Sequence, residues 1–330
     1  MKLFPFLKPT SPEKMGRIMS MMALPLMAIV IVLASRAVGT SAQVRTPPEE
    51  GVLVVADLQG ESLTLHDLSG ATGTRTLQIA GPPHEMVVVG GRVYVTLGRG
   101  NRLIEVDPRA PGLMRTLSLA GEPHGIAVDG SSLLVTLDKA NAVAVIDRVS
   151  LLEDGRRPTG ETPHAIATSG TEVYVTAARE NRLESQRADG ATGKTGLVPE
   201  SVVVTGRYVV TANAGDGTLS VFLKDSLALI GTVRLGGMPV RLIATDETHV
   251  VVSLVSNAEV VLVALDKLHI DRRQKVGSRP DGLCLSPSRD FIAVVSNADD
   301  LARIYRLPTW TPVLALVTGK GPGSCVWLAD

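Results

Sequence analysis

Seven prolines recur along this chain at almost equal intervals. Pro83, Pro123, Pro163, Pro199, Pro239, Pro280 and Pro322 stand 40, 40, 36, 40, 41 and 42 residues apart. Self-similarity at a period of this size restricts the chain to architectures built from repeated units. Each proline precedes a short apolar run, such as Met86-Val87-Val88, Ile126-Ala127-Val128, Ile166-Ala167 or Leu283-Cys284-Leu285. A second run follows at a fixed offset and ends in Thr, Ser or Ala, as in Val93-Tyr94-Val95-Thr96, Leu133-Leu134-Val135-Thr136 and Val250-Val251-Val252-Ser253. A third lies beyond a turn (Asn101 to Asp107, Asn141 to Asp147), and a fourth is exemplified by Thr116-Leu117-Ser118-Leu119. The segments are short, rich in Val and Leu, and bounded by Gly, Asn, Asp or Pro, which is the pattern of antiparallel strands.

Four strands in about forty residues make one blade of a β-propeller. Residues 51–330 hold seven such units, so the predicted fold is all-β, a seven-bladed propeller of four-stranded blades. The ends fit a closed ring. Val52 to Ala56 aligns with a second strand and Cys325 to Leu328 with a first strand, so one blade is expected to combine both termini and remove the open edges.

Tyr94-Val95-Thr96 and Tyr174-Val175-Thr176, each after a Gly–Pro–apolar segment, resemble the YVTN family of β-propeller repeats, and drifted forms recur at Leu134-Val135-Thr136, Val210-Thr211 and Val252-Ser253. The resemblance covers nearly all of residues 51–330. It implies a seven-bladed propeller on the bacterial surface or in the periplasm, without implying one activity. Relatives of that kind include surface proteins, lactonases, streptogramin lyases and periplasmic metal-handling proteins. Other propeller types fit poorly: there is no Trp-Asp dipeptide, and two Trp cannot supply the tryptophan ring of quinoprotein propellers.

Upstream of the repeats the chain is of another kind. Its 33 basic and 33 acidic residues cancel, but unevenly. Residues 1–36 carry five basic groups against Glu13, a charge of +4, and residues 37–330 carry 28 basic against 32 acidic, a charge of −4. The 18 uncharged residues Ile18 to Ser35, at about 1.5 Å per helical residue, just span a bilayer core of about 30 Å. The basic residues before them predict an N-in orientation and an exported remainder. Residues 1–38 are therefore read as a cytoplasmic head with a signal-anchor or signal peptide, and 39–50 as a linker. Thr40-Ser41-Ala42 offers a cleavage site after Ala42, while Arg36 and Pro25 suit a retained transmembrane anchor. A propeller of balanced-to-acidic charge excludes a nucleic-acid partner, since phosphate contacts require excess Lys and Arg. The expected partners are the membrane, through the N-terminal helix, and a protein or small ligand at the propeller rim or channel.

In a propeller the strand side chains pack between blades, and side chains reach the central channel chiefly from the loop that begins each innermost strand. The residue after each proline is then the informative one. Around the ring it is His84, His124, His164, Glu200, Val240, Asp281 and Gly323. Three imidazoles on consecutive blades with a carboxylate on the fourth form a donor set suited to zinc, copper or iron, and Asp281 could add a ligand, an orienting group or a general base. Duplication alone can carry a histidine through three units, and a Pro-His turn can simply cap a strand. The change to Glu200 substitutes another ligand type and favours function. If the protein is an enzyme resembling streptogramin lyases, His164 would act as acid or base beside Glu200; the remaining alternative is a structural interaction protein with an empty channel.

Three minor features complete the reading. The fourth unit has a polar third strand, Leu183 to Arg187, and lacks an apolar outer strand over Asp189 to Gly196, which predicts a frayed blade edge or, as the alternative, an exposed edge that accepts a partner strand. Gly193-Lys194-Thr195 loosely matches a phosphate-binding loop but lacks the strand before it and the helix after it. Cys284 and Cys325 fall on ring-adjacent innermost strands at opposite parity, so they point either into the shared interface or away from it. Two buried thiols are expected ahead of a disulfide. His66, His249 and His269 are isolated and receive no role.

Overall fold

The computed structural model describes residues 49–112, 114–186 and 190–329. The predicted N-terminal head, membrane span and cleavage site lie outside these residues. Among the described residues no helix is long and apolar enough to cross a membrane.

The described residues form seven four-stranded antiparallel sheets. Six are consecutive in sequence, and the seventh joins the last strand to the first three. In that composite blade Pro322–Leu328 pairs with Val52–Asp57, with Leu53 opposite Trp327 and Val55 opposite Cys325. The ring is thus closed as the sequence predicts. Blades are numbered here from the composite blade 1 through blade 7, which ends at Val317. The innermost strand is the proline-led one. Pro123–Asp129 lies beside Pro163–Ser169, and Pro163–Ser169 beside Pro199–Val204.

Strands of Val and Leu are apolar on both faces, and both faces are buried because each sheet is covered by a neighbour. A hydrophobic cluster fills every interface between adjacent blades. Val54 and Leu63 meet Val93 and Val95. Tyr94 and Leu103 meet Leu133 and Val135, and Leu134 meets Val173 and Val175. Tyr174 meets Val209 and Phe222, Val210 and Val221 meet Val250 and Leu254, Val251 meets Ile292 and Tyr305, and Leu53 meets Val295 and Trp327. Stability is distributed around the ring and leaves the channel free of packing duties.

Two expectations are corrected. Blade 4 keeps an outer strand, short but paired: Thr192–Lys194 runs against Arg182–Ser185 with Gly193 opposite Leu183. The apolar cover comes from the next blade, since a Cβ on Gly193 would fall 2.6 Å from the Phe222 ring. The same strand also removes any phosphate-loop geometry at Gly193-Lys194-Thr195. Second, Cys284 and Cys325 are bonded to each other, with Cα atoms 5.7 Å apart. Opposite parity is what allows this, because the facing surfaces of two adjacent blades are opposite faces of equivalent sheets.

The disulfide ties blade 7 to the C-terminal strand that closes blade 1, and it closes a loop of 41 residues. Loop entropy alone assigns such a cross-link about 4 kcal/mol. Replacing both cysteines by serine should lower unfolding stability by about 2–4 kcal/mol in urea titrations, and reductant should lower the wild type to the same level.

Candidate functional site at the channel mouth

The local backbone decides what reaches the channel. Asn101, Asn141 and Asn181 hold left-handed conformations, φ 48° to 53°, in the loops after the second strands of blades 2, 3 and 4. Asparagine tolerates this region because its side chain bonds the local backbone. Asn101 Oδ1 accepts from the N–H groups of Gly121 and Glu122, Asn141 Oδ1 from Thr162, and Asn181 Oδ1 from Val198. Those amides immediately precede Pro123, Pro163 and Pro199, so each crossover is fixed where it delivers its proline.

After the proline the strand register shifts in six of the seven innermost strands. In blade 3, for instance, Pro123 faces Leu137 but Ile126 faces Val135, leaving His124 and Gly125 opposite Thr136. Such a bulge turns a side chain out of the ladder. The hydroxyl that ends the second strand fills the gap. Thr136 Oγ1 accepts from Gly125 N–H at 2.7 Å and donates to the His164 carbonyl of the next blade at 2.8 Å. Gly125 permits the approach, for a Cβ there would lie 2.6 Å from that carbonyl. Thr96 donates to the His124 carbonyl at 2.6 Å and Ser253 to that of Asp281 at 3.2 Å, while Ser324, on the innermost strand of blade 1, donates to that of His84 at 2.6 Å. The backbone of these four residues is therefore pinned by the preceding blade.

The predicted residues converge. His84, His124, His164, Glu200, Val240, Asp281 and Gly323 all line one cavity of about 210 Å³, together with Glu85 and Arg241. The His84 and His124 ring centres are 4.6 Å apart and those of His124 and His164 3.7 Å apart, the latter inclined by 30°. His164 Nε2 lies 2.7 Å from Glu200 Oε2, and its Nδ1 is 3.7 Å from Asp138 Oδ2. On the other side of the mouth Arg241 donates to Glu85 and stands 3.7 Å from Asp281.

Three imidazoles in one stack do not share one charge state. Burial holds His124 well below the ordinary histidine range, and the neighbouring His164, His84 and Arg241 add to this. Burial also lowers His84, against the opposing pull of Glu85. Burial acts in the same direction on His164, but the carboxylates of Asp138 and Glu200 outweigh it and raise the imidazolium to about 9. Glu200 is correspondingly lowered by His164 despite its burial. Burial raises Asp281 to about 6, with Arg241 opposing and Glu85 reinforcing the shift. At neutral pH the stack holds two neutral rings and one cation.

The arrangement can offer neutral imidazole lone pairs, a proton on His164 and carboxylate charge. Among the described residues no three His, Cys, Asp or Glu side chains stand around one point closely enough to hold a metal ion. The rings are stacked, and Glu200 occupies Nε2 of His164. Asp138, Glu85 and Arg241 are additions that reading one position around the ring did not reveal. One residue further on, the series is Glu85, Gly125, Ala165, Ser201, Arg241, Gly282 and Ser324, small residues broken by one acid and one base. His66, His249 and His269 lie away from this cavity; His66 is buried with Nδ1 2.9 Å from Thr74 Oγ1.

No family model and no curated protein matches the sequence. Among solved structures the chain is similar to a functionally unknown protein from Desulfotomaculum acetoxidans, with a TM-score of 0.72 and 11% identity over 85% of this chain and 100% of that one. It is also similar to a streptogramin B lyase, with a TM-score of 0.65 and 12% identity over 74% and 86%. A third is apo AztD from Citrobacter koseri, with a TM-score of 0.64 and 10% identity over 84% and 98%. These likenesses establish the propeller fold.

A raised histidine has a definite stability signature. The Glu200 and Asp138 contacts of His164 stabilise the folded state fully below the unfolded value of about 6.5, and this contribution is lost as pH rises through about 9. In ¹⁵N-detected NMR His164 should stay protonated through pH 8, whereas His124 stays neutral at pH 6. Glu200→Gln should return His164 toward the ordinary histidine range.

Proposed function

We propose that this protein is an exported, membrane-tethered binding propeller of the YVTN type. Its channel mouth captures a small ligand or a divalent metal ion, the latter only on rearrangement of the stacked rings, because as they stand no three donors among the described residues share one point. The observation that carries this reading is the meeting of His84, His124, His164 and Glu200 from four consecutive blades at one cavity. His84 and His124 are uncharged there, the form of imidazole that ligates metals. A metal drawn to those two rings would compete with Glu200 for His164. The buried disulfide supports an oxidising compartment, as does the basic, apolar segment at the start of the chain.

Full-length protein titrated with Zn²⁺ in a calorimeter should bind about one equivalent, and His84→Ala and His124→Ala should each weaken binding by at least about tenfold. Absence of binding, or binding indifferent to both substitutions, would overturn the metal assignment.

A second reading is favoured by the 2.7 Å contact between His164 and Glu200 on adjacent blades, together with a fold shared with a streptogramin B lyase. In a metal-dependent lyase or lactonase the protonated His164 would donate to a leaving oxygen while Glu200 held it in place. Turnover by that route should be flat to about pH 8, fall as pH passes about 9, and drop by about 10²-fold or more in His164→Ala. Turnover unaffected by that substitution would remove the enzyme reading.

A further inference from the structure

One polar arrangement occurs twice in the ring. In blade 5 Asn213 ends the second strand and is fully buried. Its Nδ2 donates to Thr218 Oγ1 and Ser220 Oγ on the third strand, each at 3.0 Å. Ser220 Oγ in turn accepts the N–H of Gly196, in the crossover that enters the blade, at 3.2 Å. In blade 1 Asp57 stands at the same place. Its Oδ2 accepts from Ser62 Oγ at 2.9 Å and from Thr64 Oγ1 at 2.7 Å, again five and seven residues on. Thr64 Oγ1 accepts the N–H of Gly319, in the crossover that enters blade 1, at 3.0 Å. The other six blades carry an uncharged residue at this position, from Leu97 to Ser296.

The two copies differ in one group and one neighbour. Thr211 Oγ1 donates to Asn213 Oδ1 at 2.9 Å, so both ends of that amide are satisfied. The residue two before Asp57 is Val55, which has no hydroxyl, and Asp57 Oδ1 is buried with no hydrogen-bond partner. Leu53 and Val55, on the same strand face, pack against blade 7, so the carboxyl lies in the seam where the two ends of the ring meet. The charged groups around it bring no free cation among the described residues. Asp300 of blade 7 is an acid, bonded by Lys320 of the crossover and by the Gly321 N–H at 2.8 Å. Arg303 leaves the other face of its strand and pairs with Asp299. Glu61 is exposed, and His66 is bonded to Thr74 at the far end of the third strand. Burial raises Asp57 to about 6 against the Thr64 and Ser62 hydroxyls and the Gly319 amide, and Asp300 adds to the rise.

We propose that Asp57 is a protonation-dependent clasp on the ring closure, fastening blade 1 to blade 7 when neutral and loosening that seam when ionised. A carboxylate only accepts, whereas a protonated carboxyl can donate to a neighbouring hydroxyl as the Asn213 amide does. The neutral form therefore copies the blade 5 network, and the charged form leaves a buried anion with one oxygen unmet. The contribution of the clasp is complete below the unfolded carboxyl value of about 3.9 and is lost as pH rises through about 6. The turn after Asp57 is held to the crossover by the Leu58 N–H on the Gly321 carbonyl at 3.0 Å, and by those of Gln59 and Gly60 on the Lys320 carbonyl at 3.1 and 2.9 Å. Leu58 also lines the channel-mouth cavity, so the clasp sets how firmly one side of the mouth is held, whatever the mouth binds.

The test is amide hydrogen exchange of the full-length protein between about pH 4 and about pH 8, corrected for the intrinsic pH dependence of exchange. Protection of Leu58, Gln59 and Gly60 should fall by about tenfold or more as pH passes about 6. Ala214 and Gly215, bonded to the Val198 and Leu197 carbonyls in the equivalent turn of blade 5, should not change. Asp57→Asn should hold the blade 1 turn protected at every pH, and Asn213→Asp should transfer the fall to Ala214 and Gly215. Should either variant not fold, the comparison of the two turns within the wild type decides. Constant protection at Leu58 to Gly60, a fall that persists in Asp57→Asn, or an equal fall at Ala214 and Gly215 in the wild type overturns the clasp.

Discussion

The arrangement on which the rest depends is the hydroxyl bridge at the start of the innermost strands of blades 2, 3 and 6. A bulge leaves one extra residue after the proline, and a threonine or serine hydroxyl sits in the gap. Thr136 shows both halves: it takes an amide from its own blade and gives its proton to a carbonyl of the next. The bridge satisfies backbone groups that the register shift would otherwise bury unpaired, which would cost about 1–3 kcal/mol for each group. The same contact couples blade to blade near the axis and aims the side chain after the proline into the channel. In blade 1 the innermost strand itself supplies a hydroxyl, Ser324, which donates to the His84 carbonyl of blade 2. One interaction therefore serves the fold and the site together.

Because the side chain at the bulge takes no part in either interblade cluster, its chemistry is unconstrained by packing. Blades 2 to 4 use that position for imidazoles, blade 5 for Glu200 and blade 7 for Asp281, while Val240 and Gly323 leave space. Charges so placed are partly removed from water and would be costly alone. They occur as pairs drawn from different blades, His164 with Glu200 and Arg241 with Glu85. The cavity is thus divided into a histidine wall with its own acid and a guanidinium surrounded by carboxylates. Each cation has a second, more distant carboxylate, Asp138 for His164 and Asp281 for Arg241, so the pairs supply interblade electrostatics that the clusters of Val and Leu do not.

Much of this was legible in the sequence, because a propeller writes its fold as a repeat. The proline spacing gave the blade count, and the unmatched ends gave the closure. The residues after the prolines gave five polar members of the cavity wall. What escaped were relations across the ring. Nothing local to Glu85 marks it as a partner for Arg241, and Asp138 reaches His164 from a turn in another blade. The two cysteines were placed on neighbouring strands, yet parity alone could not decide between facing and diverging side chains; the packing of one blade's face on the next decides it. The outer strand of blade 4 was missed because its apolar cover, Phe222, belongs to blade 5.

The same distinction explains why the histidines could be found while their states could not. Position along the repeat fixes that three imidazoles come together, but charge is set by what lies beyond the repeat unit. His124 is flanked by two rings and is kept neutral, whereas His164, with the same local sequence of proline before and a bulge after, lies between two carboxylates and is kept protonated. Identical placement therefore yields opposite chemistry. A ring of duplicated elements acquires a specific site when the neighbours of equivalent residues diverge, and here they diverge at Asp138, Glu200, Glu85 and Arg241.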